Sequence, residues 1–371
     1  MAGQHSGFDR RVLGALEASP SRIPVVLGGC GTGRTAAQYL DVERCATTPE
    51  RFLQAVTGAS PFPWHAADRQ PGTAREAFDM LLVFFDTARA PGGEPCTFML
   101  DDVLELRTFE SFPGLRHVLR DLLEALAASP NRFVLTTRYV ARAHRLLRDA
   151  TSRFEVMHIP SLTPADATDL LAPTFNNYEQ MPTDDRDDLG RTVQTLTDGR
   201  AAYVRAIGDA MVQMGRTADP ISALTALLSS EGALDHWCRF CYELRLHRAR
   251  GYGALKAILD VLAEEEPLTL TEISHRLHRT PGSTKDYLSW LEDVDLVTSR
   301  QKRYSFTDPV LRLWVRLHCR PVPPSDEDVA REVQQYALAR LPHAEAAPAL
   351  AYAGVDATAD ERKSWGIIEI D

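Results

Sequence analysis

Pro24-Val25-Val26-Leu27-Gly28-Gly29-Cys30-Gly31-Thr32-Gly33-Arg34-Thr35 is the stretch that decides the fold. Its first four residues are an apolar run that predicts a buried strand, and the run breaks into a glycine-rich turn. Gly28, Gly33 and Thr35 fall in register with the phosphate-binding pattern G-x-x-x-x-G-K-[ST], in which Arg34 replaces the lysine. Backbone N–H groups that converge on a polyphosphate need residues without a Cβ, and the following helix turns its positive end toward the anion.

We therefore expect a nucleotide-binding loop that comprises Gly28, Gly29, Cys30, Gly31, Thr32, Gly33, Arg34 and Thr35. Thr35 would give its hydroxyl to Mg²⁺, and Arg34 would place positive charge at the outer phosphates, where it would act in catalysis. A glycine-rich turn between strand and helix with no ligand is the alternative, because short motifs produce false matches.

A second apolar strand, predicted over 97–102, ends in the paired carboxylates Asp101 and Asp102. A Walker B element has this form. Asp101 would hold the Mg²⁺ shell through water, and Asp102 stands where related ATPases keep an acid that polarises the attacking water. Taken alone, such a pair also fits a helix cap or a solvated turn. The order and spacing of the two motifs together predict nucleotide binding.

The next buried strand, predicted over 132–139, ends in polar residues. ATPases place a residue that senses the γ-phosphate at the end of the strand after the Walker B strand, so Thr137 and Arg138 are the candidates for this catalytic role. Polar residues that simply leave a sheet are the alternative. A last strand is predicted from Phe154 to Ile159, before Pro160. Strands that alternate with helices predict a parallel three-layer α/β domain.

The connection after the phosphate loop is short. Tyr39 to Glu43 already has a strand-like pattern, whereas a crossover between parallel strands takes about a dozen residues. Either residues 35–43 form the helix and a strand is lost, or the helix is reduced to about one turn; we favour the second interpretation. Both weaken the prediction of tight phosphate binding.

Composition places the chain among ordinary globular proteins. It has 371 residues, 44% of them hydrophobic and 25% charged, which is enough for two or three domains. The net charge of −10 provides no general basic field to attract DNA or anionic membrane. The amino terminus lacks an apolar signal core, and the most apolar run, Met80 to Phe85, is too short to span a bilayer. We therefore expect a cytoplasmic protein.

Six scattered cysteines do not form the pattern of a disulfide framework. Cys238 and Cys241 form a C-x-x-C near His236 and His247, so a zinc site is one interpretation. Two small residues on a packed helix is the interpretation we favour, because no second pair of ligands follows.

Beyond Pro160 the pattern is helical. One helix ends at Thr197-Asp198-Gly199, and Arg200 begins the next. Arg200 could reach the phosphates from this helical lid, or it could be a surface arginine after a glycine stop. From Gly251 onward, three helices and two paired strands at 296–299 and 303–307 predict a winged helix-turn-helix. Its third helix, which carries Glu292, Asp293 and Asp295, favours protein contact or intramolecular packing over DNA reading.

Arg300, Lys302 and Arg303 give the wing a modest basic patch, so DNA binding stays possible but is not favoured. After the winged unit the sequence predicts one more helix, at 328–341. Residues 343–360 have a composition typical of disorder, and the apolar end 366–371 suggests an added edge strand or a partner contact.

The phosphate loop, the Asp101-Asp102 strand, the Thr136-Thr137-Arg138 strand end and the winged unit with its Asp308-Pro309 helix resemble the archaeal-type ATPases. These belong to the STAND group of AAA-related P-loop NTPases. The resemblance runs over about residues 8–320. It implies a RecA-like core, a helical lid and a winged helix that close over ATP. Arg34, the short helix after the loop and Ala201 in place of an expected proline depart from the pattern.

The sequence thus predicts an α/β P-loop NTPase core with a parallel three-layer sheet at 1–160, an all-helical lid at 161–250, a winged helix-turn-helix at 251–320, and a helix with a mostly disordered tail at 321–371. Its predicted function is a slow ATPase that uses ATP and Mg²⁺ as a nucleotide-dependent switch. The alternatives are a DNA-binding regulator or a protein-interaction scaffold with a vestigial ATPase core. A protein partner would bind through the winged unit and the tail.

Overall fold

A computed structural model describes residues 4–18, 22–27, 39–58, 60–62, 64, 70–90, 92–148, 150–151, 153–175, 182–215, 218–247 and 251–341. The first half of the described chain contains α1 (Gln4–Glu17), β1 (Ile23–Leu27), β2 (Tyr39–Asp41), α2 (Val42–Cys45), α3 (Pro49–Gly58), α4 (Ala74–Thr87), β3 (Thr97–Asp101), a 3-10 helix (Val103–Ser111), α5 (Val118–Ala128), β4 (Arg132–Thr137), α6 (Val140–Leu147) and β5 (Phe154–His158).

The second half contains α7 (Pro164–Leu170), α8 (Ala172–Phe175), α9 (Thr183–Thr197), α10 (Ala201–Met214), α11 (Pro220–Leu228), α12 (Ala233–His247), α13 (Tyr252–Glu264), β6 (Leu268–Thr269), α14 (Leu270–Arg276), α15 (Pro281–Asp293), β7 (Val297–Arg300), β8 (Arg303–Phe306), α16 (Pro309–His318) and α17 (Asp326–Arg340). No described helix has the length and the apolar character needed to cross a bilayer.

The central sheet of the described chain has the strand order β2-β3-β4-β1-β5, and every neighbouring pair is parallel. β4 therefore lies between β1, which leads into the glycine-rich stretch, and β3, which ends in Asp101. Because parallel strands end at the same edge of a sheet, this order brings the polar ends of β3 and β4 beside the end of β1. The predicted α/β core with a parallel sheet is confirmed.

The strand β2 decides between the two interpretations of residues 35–43. Tyr39, Leu40 and Asp41 pair in parallel with Met99, Leu100 and Asp101 of β3. The interpretation in which a helix replaces this strand is therefore wrong. Eleven residues, 28–38, connect β1 to β2, and the predicted one-turn helix among them lies outside the described residues.

Aromatic side chains fill one face of the sheet. Phe98 of β3 and Phe133 of β4 stack with ring centroids 5.6 Å apart. Phe84 and Phe85 of α4 meet this pair edge-on, and Phe84 contacts Phe98 at 5.8 Å between ring centroids. Large rings in these offset and edge-on arrangements bury much apolar area, so α4 is fixed against the sheet.

The opposite face of the sheet is covered by α1. Successive strand residues point to opposite faces, so Val26, Met99 and Val134 form a separate cluster on this side. Val12 and Leu16 of α1 pack against this cluster. The sequence predicts that α1 covers an edge of the sheet. The helix instead covers a face, because the apolar spacing of α1 matches three neighbouring strands in the middle of the sheet.

The apolar spacing predicts one amphipathic helix from Phe112 to Ser129, but the observed helix begins later. α5 starts at Val118, and the segment before it is a 3-10 helix followed by turns. Gly114 has φ +82°, a left-handed conformation that glycine adopts without steric cost and that a helix interior cannot contain. Leu115 is buried from the turn itself, so its apolar side chain extended the apparent helical pattern.

The last elements make two further packing units. β6, β8 and β7 form an antiparallel three-stranded sheet, and α14 and α15 pack on each other beside it. α17 turns back onto the helical region, where the Tyr336 hydroxyl donates to the Leu196 carbonyl at 2.6 Å. Arg340 donates from Nε to the Thr195 carbonyl at 3.0 Å, which ties the end of α17 to α9.

A buried carboxylate joins the helical region to α16. Asp235, in the first turn of α12, has an exposed fraction of 0% and accepts a hydrogen bond from Trp314 Nε1 at 2.8 Å. Arg239 pairs with the same carboxylate at 3.0 Å. Burial alone raises the pKa of Asp235, but the hydrogen bonds from Trp314 and Arg239 outweigh it, so the pKa is lowered overall.

Replacing this carboxylate tests its part in stability. We expect Asp235→Ala to lower the free energy of unfolding by about 1–3 kcal/mol, because the buried indole N–H of Trp314 loses its acceptor. Chemical denaturation measured beside Asp169→Ala, which changes an exposed carboxylate on α7, provides the comparison. Equal stability of Asp235→Ala and the control would show that solvent replaces the hydrogen bond.

Candidate functional site

The carboxylate at the end of β3 is held by the neighbouring strand. Asp101 is 5% exposed, and its Oδ1 accepts a hydrogen bond from the Thr136 hydroxyl of β4. The Thr136 Oγ1 in turn accepts from the backbone N–H of Asp102 at 3.2 Å. The Thr136 hydroxyl therefore binds both the Asp101 side chain and the Asp102 backbone. The sequence did not indicate this role for Thr136.

Asp102 is turned away from the strand direction by its backbone. It has φ +52° and ψ +44°, the left-handed conformation that Asp adopts more readily than most residues, and it begins the 3-10 helix. Its carboxylate accepts from the backbone N–H of Arg138 at 3.2 Å and from the Arg138 guanidinium at 2.6 Å from Nη2. Asp102 is thus fixed by the residue that follows β4.

Arg138 also reaches the element after β2. Its Nη2 pairs with Glu43 of α2, so one guanidinium joins the ends of three neighbouring strands. Burial alone lowers the pKa of Arg138, but Asp102 and Glu43 raise it well above its ordinary range. The guanidinium is permanently charged and neutralises two carboxylates. Thr137 is buried beside it, and its Oγ1 accepts from the Tyr139 N–H at 3.2 Å.

The residues of the predicted nucleotide loop, Gly28, Gly29, Cys30, Gly31, Thr32, Gly33, Arg34 and Thr35, lie outside the described residues. The point from which they start is described. Leu27, the last residue of β1, pairs with Thr137 on one side and with His158 on the other. The loop therefore begins at the edge of the sheet where Asp101, Thr136 and Arg138 lie.

Arg200 is buried, so the interpretation of this residue as a surface arginine is wrong. Gly199, with φ +67°, follows the end of α9, and Arg200 then precedes α10 with an exposed fraction of 9%. Its Nη2 donates to the Thr307 carbonyl at 2.9 Å, and its Nη1 lies 3.7 Å from Oδ2 of Asp308. Tyr203 donates its hydroxyl to the same Oδ2 at 2.7 Å.

Arg200 and Asp308 line a cleft of about 400 Å³ between the sheet edge, α10 and the three-stranded unit. The cleft is also lined by residues that follow β4 and β5, namely Val140, Ala141, His144 and Ser161. Its walls include Asp198, Glu292 and Asp295, so carboxylates outnumber the arginines. A polyphosphate that enters this cleft meets a negative field unless cations accompany it.

Asp295 anchors the three-stranded unit on the core. Its carboxylate accepts from the backbone N–H groups of Val140 at 2.5 Å and Ala141 at 3.2 Å, which are the first residues of α6. Asp293 pairs with Arg145 one turn and a half further along the same helix. The carboxyl end of α15 is therefore packed intramolecularly, which is one of the two arrangements that its acidic residues favoured.

Burial raises the pKa of Asp295 to about 6, although the two N–H groups and the Arg245 charge act in the opposite direction. A carboxylate at the amino end of a helix is normally stabilising, because the orphan N–H groups and the helix dipole favour negative charge. Here the loss of water outweighs that gain.

Two histidines stand beside the start of the nucleotide loop. His144 of α6 and His158 of β5 stack with centroids 5.1 Å apart, and their Nε2 atoms are 3.1 Å apart. Burial and the neighbouring His144 lower the pKa of His158. Their positions differ by fourteen residues across a helix and a turn, so no local pattern in the sequence indicated the pair.

The C-x-x-C at Cys238 and Cys241 lies within α12 as two buried residues. His236 interacts with Glu231 and with the Gly232 carbonyl instead of turning toward them. Among the described residues no group of three or more His, Cys, Asp or Glu side chains is arranged to hold a metal ion. These observations favour the packed helix over the zinc interpretation.

Solved structures with a similar fold include a Walker-type ATPase of Pyrococcus abyssi, which is 16% identical with a TM-score of 0.62. The match covers 83% of this chain and 94% of that one. The ORC1 protein of Aeropyrum pernix in complex with DNA is 16% identical over 92% of this chain and 95% of its own, with a TM-score of 0.43. A RuvB variant of Thermotoga maritima is 12% identical over 82% and 92%, with a TM-score of 0.37.

The chain thus has the fold of a Walker-type ATPase, and at these identities the likeness concerns the fold. Neither a protein-family model nor a curated protein matches the sequence.

The pKa of Asp295 gives a prediction on pH. The unfolded chain loses this proton near pH 4 and the folded chain near pH 6, so stability falls as the pH rises through that window and stays lower above it. We expect Asp295→Asn to be more stable than the wild type at pH 7.5, by up to about 3 kcal/mol at roughly 1.4 kcal/mol per pKa unit.

Denaturation curves at pH 7.5 and pH 4.5 measure this difference. The advantage of Asp295→Asn should shrink at the lower pH, where the wild-type carboxyl regains its proton. The exposed Asp209→Asn on α10 serves as the control and should show no such change. A variant that is less stable at pH 7.5 would mean that the charge itself stabilises the contact with α6.

Proposed function

We propose that this protein binds Mg-ATP at the edge of the sheet between β1 and β4, hydrolyses it slowly, and uses the bound nucleotide as a switch that moves the helical and three-stranded units. The observation that carries the proposal is the buried Asp101 carboxylate beside the strand that leads into the phosphate-binding sequence, in a chain with the fold of a Walker-type ATPase.

The donor set at this edge fits a hard cation. Asp101 offers carboxylate oxygens, and Thr35, the second predicted ligand, offers a hydroxyl. Mg²⁺ accepts both ligand types. A bound Mg²⁺ would neutralise phosphate charge. The Thr136 hydroxyl, which donates to Asp101 Oδ1, keeps that carboxylate oriented at the end of β3.

Asp102 is the carboxylate proposed to polarise the attacking water, and its hydrogen-bond partners affect the rate of hydrolysis. The Arg138 guanidinium and backbone N–H both donate to it. These donors engage both carboxylate oxygens and compete with a water for them. Slow hydrolysis is consistent with this arrangement. Arg138 and Thr137 would respond to the γ-phosphate by releasing or tightening this contact.

The switch rests on Arg200. Its guanidinium holds the Thr307 carbonyl and lies near the Asp308 carboxylate, both of which belong to the start of α16. A polyphosphate competes for the same guanidinium, because Arg binds phosphate and carboxylate with similar geometry. Movement of Arg200 toward phosphate would loosen α10 from α16. We propose the elements from 251 to 320 as a winged helix-turn-helix that this movement carries.

Nucleotide binding is tested by thermal and chemical denaturation. A ligand at one hundred times its Kd adds about 2.7 kcal/mol to the free energy of unfolding. We expect such a shift with Mg-ATP and a smaller one with ATP and EDTA. Asp101→Asn should lose the Mg²⁺-dependent part of the shift, because its amide carries no charge for the cation.

Asp86→Asn, which changes an exposed carboxylate at the end of α4, is the matched control and should keep the full shift. Absence of any shift with Mg-ATP in the wild type would sink the proposal. The same titration with GTP establishes which base is preferred. Phosphate release by Asp102→Asn, compared with the wild type, then separates hydrolysis from binding.

DNA binding is the second candidate, and one observation favours it. Arg300, Lys302 and Arg303 are all exposed at the tip of the β7–β8 hairpin, where they can reach a phosphate backbone. Against it, Arg303 already donates to the Pro267 carbonyl at 3.0 Å, and the carboxyl end of α15 is packed on α6. Three such bases give weak binding with a shallow dependence on salt.

Gel shift with duplex DNA at low salt tests this candidate. If the hairpin binds DNA, the triple variant Arg300→Ala/Lys302→Ala/Arg303→Ala should abolish a shift that the wild type shows, and about 200 mM salt should weaken it by at least tenfold. Lys285→Ala, on the exposed half of α15, reports whether that helix takes part. A wild type that produces no shift at low salt excludes direct DNA binding.

A further inference from the structure

Three arginines line a second cavity, on the other side of α6 from the cleft described above. This cavity has a volume of about 270 Å³ and lies between the 3-10 helix, α6, α12 and α15. Arg107 comes from the 3-10 helix, Arg142 from α6 and Arg245 from α12. The cavity therefore lies where the segments that directly follow Asp102 and Arg138 meet α12 and α15.

Two polar hydrogens on the wall of this cavity lack acceptors. Neither Arg142 Nε nor Trp290 Nε1 has a hydrogen-bond partner within the described part of the chain, although both atoms are buried. Arg142 also forms no ion pair with any described residue; its guanidinium lies over the Tyr139 ring, 5.1 Å from the centroid. Buried donors without acceptors are rare in folded proteins and costly, so their coincidence at one cavity calls for a ligand.

The charges around the cavity point to the sign of that ligand. The lining contains one acid, Glu105, against three arginines. Burial lowers the pKa of Arg142, and the positive charge of Arg107 lowers it further, while Glu105 acts in the opposite direction. Arg107 is paired with Glu110 at 3.3 Å on the outer rim, and Arg245 donates to the Asp295 carbonyl at 3.2 Å. The residues that line the cavity thus comprise three arginines and one carboxylate.

We propose that this cavity binds a phosphate-type anion, either free phosphate or the phosphoryl group of a small phosphomonoester. A tetrahedral oxyanion offers acceptors in several directions, which suits donors supplied by Arg107, Arg142 and Trp290 of the lining. Guanidinium groups are the side chains best matched to phosphate oxygens. Its lining residues are distinct in sequence from the predicted nucleotide loop, and phosphate binding here does not require a nucleotide.

The position of the site gives the anion an effect on the whole molecule. Arg142 belongs to α6, whose amino end is capped by Asp295, and Trp290 belongs to α15, which also carries Asp293. An anion held by both side chains adds a contact between the same two helices. Binding of phosphate therefore stabilises the docking of the three-stranded unit on the core.

Isothermal titration with inorganic phosphate, against chloride at constant ionic strength, tests the proposal on the full chain. We expect Arg142→Gln to bind phosphate at least about tenfold more weakly than the wild type, the loss expected for one charge-assisted hydrogen bond. Arg107→Gln, a substitution on the exposed rim that should not affect folding, and Trp290→Phe, which removes only the N–H, should weaken it as well. Arg148→Gln, an exposed arginine at the end of the same α6, is the matched control and should bind normally.

A further variant separates this site from the nucleotide loop. Arg34→Gln/Thr35→Ala should keep phosphate binding if the arginine cavity is the site. Binding that survives in Arg142→Gln but is lost in Arg34→Gln/Thr35→Ala would overturn the cavity and assign the phosphate to the loop. Absence of binding to the wild type, or equal weakening in Arg148→Gln, would overturn it too. A parallel titration with glycerol 3-phosphate distinguishes a phosphomonoester from free phosphate as the tighter ligand.

Discussion

The insertion of β4 between β1 and β3 is the constraint on which the rest of the structure depends. Because of this order, the polar end of β4 lies between the end of β3, which carries Asp101, and the end of β1, which leads into the phosphate-binding sequence. Thr136 orients the Asp101 carboxylate, and Arg138 neutralises the carboxylates of Asp102 and Glu43. Two buried carboxylates side by side would repel each other strongly without these partners. The sheet order thus sets both the geometry and the charge balance of the candidate site.

Local pattern was sufficient to predict the strands and the residues at their ends. The apolar runs before Asp101 and before Thr137 have the length and the flanking polar residues of buried parallel strands. β3 ends one residue and β4 two residues before the predicted bound. The start of α5 was predicted wrongly because Leu115 continues the apolar spacing from a turn. Periodicity records which residues are buried and does not distinguish a buried turn from a helix.

Contacts between residues far apart in the chain could not be predicted from the sequence. Asp295 lies 155 residues after Val140, and Trp290 and Arg142 are almost as far apart. Their meeting depends on how α15 packs on α6, which no pattern within either helix determines. The acidic residues of α15 did indicate intramolecular packing as an alternative. What the sequence could not supply was the partner, namely the N–H groups at the start of α6, because every helix offers such groups.

The two faces of α6 have opposite charge, and this asymmetry bears on how a nucleotide can be accommodated. Toward the cleft, Asp295 occupies the amino end of α6, and Asp198, Glu292 and Asp308 add negative charge. On the other side, Arg107 and Arg142 line the second cavity, and Arg245 lines both the cleft and this cavity. A triphosphate beside β1 would face the acidic wall, so its approach costs electrostatic energy unless a cation neutralises it or a carboxylate moves away.

Arg200 is the cationic group placed to change this balance. Its guanidinium contacts the start of α16, where Nη1 lies 3.7 Å from Oδ2 of Asp308, and both residues are buried. If the guanidinium turns to phosphate, the partners left to Asp308 within the described chain are the Tyr203 hydroxyl and the N–H groups of Val310 and Leu311. A buried carboxylate that loses its counter-charge is unstable where it lies. In the proposed switch, nucleotide binding and release of α16 are therefore two consequences of the same change in pairing.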